Sequence, residues 1–129
     1  MEIMDTKIKE TIEQAESIAL ATWGSGGVNV VPISVITVEG EEVHLYDFFM
    51  NKTAENIKTN PEIALVCWTG FEGVQIKADV VYEESGNIFD QAVEVMKERF
   101  PERTLKAVLR LQPKAIHNVA PGSLGEKIS

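Results

Sequence analysis

Short apolar runs, each closed by a tight-turn sequence, limit the folds open to this chain more than any other feature. Ile18 to Trp23 runs into Gly24-Ser25-Gly26-Gly27, and Val28 to Val38 runs into Glu39-Gly40-Glu41. Val43 to Phe49 follows as a third run. Glycine supplies the positive φ angles that hairpin turns need, so these runs read as paired strands. Ile63 to Trp68 is apolar throughout, which marks an interior strand. Val74 to Tyr82 places Val74, Ile76, Ala78 and Val80 on one side. Leu105 to Gln112, extended by Ala115 to Val119, reads as a last strand, although the spacing of Leu105 and Leu109 also fits a helix. The pattern predicts a mainly β chain: a six-stranded antiparallel barrel with helices at its periphery. Pro32, inside the second run, predicts an edge, a bulge or a bend.

Three helices complete the reading. Asp5 or Thr6 caps the first, which runs to about Ser17 with Ile8, Ile12 and Ala15 on one face. The second spans Lys52 to Thr59 and stops at Asn60-Pro61, because the residue before proline avoids helical backbone. Asn87 caps the third, whose stripe of Phe89, Ala92, Val93, Met96 and Phe100 ends at Pro101. Residues 1–129 form one domain on this reading, with an N-terminal helix in 1–17 and a flexible tail over 122–129.

Charge narrows the function. Asp and Glu number 20 against 12 for Lys and Arg, a formal net charge of -8. Nucleic-acid binding draws on phosphate neutralisation, so an acidic chain is a poor candidate for it. No apolar run approaches the ~20 residues a membrane helix needs, and the charged N-terminus lacks the apolar core of a signal peptide. A cytoplasmic location is the expectation. The one cysteine, Cys67, falls in an apolar run and reads as a buried, inert thiol. His44 and His117 read as surface or interface residues, and no metal-ligand spacing exists.

The stretch with the most chemistry is HLYDFFMNKTAENIKTNP, His44 to Pro61. A strand passes directly into a helix whose first turn carries Lys52 and Thr53. Helix N-termini present unpaired N–H groups and a partial positive charge, so they favour anions. A cation at that end is unfavourable without an anion to offset it, which makes Lys52 a phosphate-ligand candidate. Asn51 is the natural cap and leaves Thr53 free for a ligand. Tyr46 and Phe48 share one strand face and Phe49 takes the other. Ser34, a hydroxyl among β-branched residues, needs a polar partner.

The order of these pieces resembles a known family. Helix, strand, Gly-rich turn, a long strand with Pro32-Ile33-Ser34, a strand ending in Tyr46-Asp47, then Lys-Thr-x-x-x-Ile-x-x-Asn-Pro is similar to the pyridoxamine 5'-phosphate oxidase-like FMN-binding split β-barrels, the small minimal members above all. The resemblance implies an FMN cofactor and a homodimer with each flavin at the subunit interface. It implies that Val31, Pro32, Ile33 and Ser34 meet the flavin ring and that Tyr46 and Asp47 lie beside it, and Phe49, on the same run, is a further candidate for the cofactor. Asn51, Lys52, Thr53 and Asn56 fall at the phosphate end, and Gln75 lies on the strand that reaches the flavin of the partner chain. The oxidase proper grips its vitamin B6 substrate with a C-terminal arginine and histidine signature, which HNVAPGSLGEKIS lacks. That activity is therefore disfavoured. The substrate, a small molecule or a redox protein, stays open. Other open readings are a deazaflavin or haem in the same barrel, and a non-catalytic barrel dimer.

Overall fold

The computed structural model describes residues 3–122 and 125–129. The element order is α1 (Thr6–Gln14), β1 (Ser17–Gly24), β2 (Gly27–Pro32), β3 (Ile36–Glu39), β4 (Glu42–Asp47), α2 (Asn51–Thr59), β5 (Glu62–Thr69), β6 (Glu72–Glu83), α3 (Asn87–Arg99) and β7 (Ala107–Asn118). All seven strands form one antiparallel sheet in the order β2-β1-β5-β6-β7-β4-β3.

The strand count corrects the expectation of six. The run from Val28 to Val38 is two strands, because Pro32 has no N–H to continue a ladder. β2 ends at Pro32 and lies at a sheet edge, and β3 begins at Ile36 on the opposite edge. This connection makes the sheet curl. Six strand spacings would set the edges of a flat sheet roughly 29 Å apart. The four steps from Pro32 to Ile36 reach at most ~14 Å. The edges must therefore approach one another, which yields a barrel-like sheet with a seam at residues 33–35.

β7 settles the choice between strand and helix at Leu105 to Gln112. The chain is extended from Ala107 to Asn118 and pairs with both β4 and β6. Pro113 is tolerated at a register shift opposite Lys77 and Ala78, where the ladder is already interrupted. α1 ends at Gln14, short of Ser17, because Ser17 already pairs with Trp68 in the sheet. Asp5 caps it, its Oδ1 accepting from the Ile8 N–H at 2.8 Å. α3 is capped by Gly86, with Asn87 its first residue. Residues 125–129 pair back on β7: Ile116 N–H donates to the Ser129 carbonyl at 2.7 Å. They do not form the free tail expected, while Ser123 and Leu124 lie outside the described residues.

Two apolar clusters hold the sheet. The larger fills the barrel with Leu20, Leu45, Leu65, Ile76, Leu109 and Leu111, joined by Ile8 and Ile12 of α1 and by Met4 just before it. Cys67 belongs to it, and burial pushes its thiol up to about 12. The smaller cluster packs Val35, Tyr46, Phe48, Leu105 and Val108 under α3 through Met96.

His44, read from the sequence as a surface or interface residue, is buried within this chain at 6% exposure. It sits in a charged network on the barrel wall. Arg110 donates from Nε and Nη2 to the two Glu42 oxygens at 2.9 and 2.7 Å, and from Nη1 to Glu83 at 2.5 Å. His44 Nε2 lies 2.9 Å from Glu42 Oε1. Arg110 holds the Glu42 carboxyl at about 2, below its ordinary 4.5. A lowered carboxyl pKa stabilises the fold above the unfolded value and loses that contribution as pH falls towards the folded one. Glu42→Gln is thus expected to cost about 1–2 kcal/mol at neutral pH. In urea melts it should also flatten the fall in stability between pH 4.5 and 2.

Candidate functional site

The corner between β4 and α2 opens onto a cleft of about 370 Å³. That lies within the ~300–1,000 Å³ range of small-molecule sites. Segment 29–35 forms one wall, the run from Phe48 to Thr53 the other, and Tyr46 and Arg103 complete it. Among the described residues that line it there is no carboxylate.

Local chemistry builds the corner. Asp47, 1% exposed, turns the chain at the end of β4. Its Oδ1 accepts from the Met50 N–H at 2.7 Å, and its Oδ2 accepts from the Tyr82 hydroxyl at 2.5 Å. Tyr82, its own pKa raised chiefly by burial, stays a neutral donor. Asp47→Asn would replace one acceptor oxygen by a donor that faces either N–H or O–H. We expect a loss of about 1–2 kcal/mol in a denaturant melt, with Met50 and the start of α2 loosened.

α2 begins at Asn51, preceded by Met50, which offers no side-chain cap. Asn51 is thus not the cap its residue type suggests. Its N–H instead donates to the Phe49 carbonyl at 3.0 Å. The next two N–H groups, of Lys52 and Thr53, have no backbone partner among the described residues, as expected in a helical first turn. No acidic residue occupies that turn. Thr53, 2% exposed, accepts from Asn29 Nδ2 at 3.1 Å, so its own hydroxyl proton is free to donate. Lys52 is exposed and reaches over the β1–β2 turn: a Cβ on Gly26 would stand 3.6 Å from its Nζ. One ammonium, one hydroxyl and two N–H groups therefore gather at a positive helix end.

Of the residues singled out in the sequence, Val31, Pro32, Ile33, Ser34, Tyr46, Phe49, Asn51, Lys52 and Thr53 line this cleft. Ser34 is exposed in the seam and not on a strand. Phe49 is 71% exposed, whereas Tyr46 and Phe48 are buried on the other side. The Tyr46 hydroxyl lies 2.7 Å from Thr37 Oγ1, and burial raises its pKa.

Asp47, Asn56 and Gln75 do not line the cleft. Asp47 braces it from beneath. Asn56, 2% exposed, donates from Nδ2 to Thr22 Oγ1 at 3.1 Å and takes up the space a side chain on Gly24 would need. It docks α2 onto β1. Gln75 projects from the outward face of β6, beside Val66 of β5.

Asn29, Val35, Phe48, Met50 and Arg103 line the cleft without having been singled out for it. A lone amide in the run Gly-Val-Asn-Val-Val-Pro was a readable signal for Asn29, on the argument applied to Ser34. Arg103 gave none, because only the fold carries it to a site centred on Lys52.

A curled antiparallel sheet with a cleft at its strand-to-helix corner has the architecture of a small split barrel. A model of the pyridoxamine 5'-phosphate oxidase family matches residues 4–121, and the chain belongs to that family. It is 31% identical to the uncharacterized protein MJ0282 of Methanocaldococcus jannaschii, over 92% of this chain and 86% of that one. Among solved structures, HupZ of Group A Streptococcus superposes with a TM-score of 0.82 at 17% identity, covering 95% of this chain and 98% of its own. An FMN-binding protein of Syntrophomonas wolfei gives 0.76 at 19% identity, covering 88% and 84%. The haem storage protein HutZ of Vibrio cholerae gives 0.66 at 20%, covering 88% and 92%. At these identities the structures establish the shared fold, which hosts an FMN-binding protein and a haem storage protein alike. No helix among the described residues is long and apolar enough to cross a membrane.

Proposed function

We propose that the chain is an FMN-binding flavoprotein, working as a cytoplasmic homodimer and serving as an oxidoreductase or electron carrier. The anion corner carries this reading. Lys52, the Thr53 hydroxyl and the N–H groups of Lys52 and Thr53 form a donor set that suits a phosphate. The wall of Val31, Pro32, Ile33 and Tyr46 offers flat apolar surface to a ring. FMN would supply the redox chemistry, and the protein would bind and orient it.

The outward sheet face supports the dimer. Val28, Val30 and Pro32 on β2, Ala19, Ala21 and Trp23 on β1, and Ala64, Val66 and Trp68 on β5 are in register as one apolar surface. Val28 is 87% and Val30 68% exposed. An apolar patch on an edge strand invites pairing. The patch adjoins the cleft, since Val31, Pro32 and Ile33 border both. A second copy seated there would bring its Gln75 towards the cofactor.

Haem is the competing occupant. Neither histidine lines the cleft. His44 is tied to Glu42, and His117 Nδ1 lies 3.2 Å from the Gly125 carbonyl. An imidazole-ligated haem would find no ligand in this chain's own cleft, and the acidic chain is a poor match for the long anionic tail of a deazaflavin. A visible spectrum of protein purified from its native host separates these cofactors. We expect a flavin spectrum and a melting temperature that rises with added FMN. A colourless protein whose melting temperature ignores FMN would overturn the proposal.

A further inference from the structure

The anion corner accounts for one end of the cleft and leaves a cation at the other. Segment 29–35 runs along the wall. Asn29 at its start touches Thr53, and Val35 at its end packs with Phe48 and Leu105. Thr53 and Arg103 thus meet different stretches of the wall, Asn29 at one end of the segment and the Val35 and Phe48 cluster at the other. Arg103 stands at the Val35 end. Its guanidinium carbon is 5.3 Å from the centre of the Phe48 ring and 4.3 Å from that of Phe100. Its own N–H donates to the Phe100 carbonyl at 3.0 Å, which anchors the backbone beside those rings.

Guanidinium groups stack on aromatic faces and direct their N–H donors outward in the plane, where they match oxyanions. Arg103 has no ion-pair partner among the described residues, whereas Arg110 and Lys114 each hold two carboxylates. The cleft wall supplies no carboxylate either. A partly buried cation, fixed by two rings and facing an acid-free cleft, is poised for an anion from outside the chain. The cofactor's phosphate is committed to the far end, and the oxidised flavin ring is neutral.

We propose that Arg103 recognises the flavin's reaction partner, and that this partner is a small organic oxyanion entering at the Phe48 and Phe100 end of the cleft. The assignment rests on the flavoprotein reading and deepens it. Arg103 sets which substrates are accepted, while Lys52 and Thr53 retain the cofactor.

The test uses the FMN-loaded protein, with benzoate as the probe and benzamide as its neutral counterpart. Benzoate should perturb the visible flavin spectrum saturably, and benzamide should bind at least about tenfold more weakly. Arg103→Gln should weaken benzoate at least about tenfold, an effect of ~1.4 kcal/mol, and Arg103→Lys should restore part of it. FMN and riboflavin affinities of Arg103→Gln should stay within about twofold of wild type. Equal benzoate affinity in wild type and Arg103→Gln would overturn the assignment. So would an Arg103→Gln protein that loses FMN but keeps riboflavin, because the arginine would then serve the phosphate. Should wild type take up no flavin at all, the cofactor reading fails separately. Benzoate binding is then followed through the ring protons of Phe48 and Phe100, with the same variant comparison deciding Arg103.

Discussion

Lys52→Glu is expected to weaken FMN binding at least about 100-fold, or ~3 kcal/mol. The change replaces an ammonium that attracts the phosphate with a carboxylate that repels it. Charges ~4 Å apart near a protein surface interact by about 4 kcal/mol before screening. Lys52 is exposed, so solvent removes part of that energy. The fold should be unharmed. Lys52 has no ion-pair partner among the described residues to lose, and a carboxylate in the first turn suits the helix dipole better than an ammonium does. Fluorescence titration gives the affinity and a circular dichroism melt gives the stability. Riboflavin, which lacks the phosphate, should bind wild type and variant equally. An FMN affinity unchanged in Lys52→Glu would dismiss the corner as the phosphate site.

Val66→Glu is expected to turn the proposed dimer into a monomer, raising its dissociation constant at least about 1,000-fold. Val66 occupies the middle of the apolar outward face, paired with Ala19 on one side and Gln75 on the other. In a two-fold interface one substitution acts twice, so each dimer would bury two unpaired carboxylates. Burying an unpaired charge costs several kcal/mol. Leu65 and Cys67, the neighbours facing the barrel, are untouched, so the monomer should keep its circular dichroism. Its FMN affinity should fall by at least about tenfold, because the contact proposed for Gln75 of the second copy is removed. Light scattering at micromolar concentration reads the mass. A wild-type protein that is monomeric with flavin bound would remove the interface from the proposal.

Most of the barrel could be read from local pattern. β5 and β6 alternate or run apolar as interior strands do, and Gly27 and Gly40 occupy the positive φ angles their turns require. The helix start beside Lys52 and Thr53 was legible for the same reason: it depends on residues next to one another in the chain. Asn56 misled because its position, one turn beyond Lys52, suggests the ligand. Its side chain instead faces β1, where Gly24 leaves room for it. His44 misled because only the neighbouring strand supplies Arg110, the residue that organises Glu42 beside it.

The periodic elements, the turns and the strand-to-helix junction before Lys52 were legible locally, since each arises from residues within one or two turns of the backbone. Tertiary structure alone decided that β2 and β3 take opposite sheet edges, that His44 is buried and that Arg103 arrives beside Phe48. Those depend on which segments meet across the curled sheet. That meeting is governed by burial of the two apolar clusters, whose members come from segments far apart in the chain.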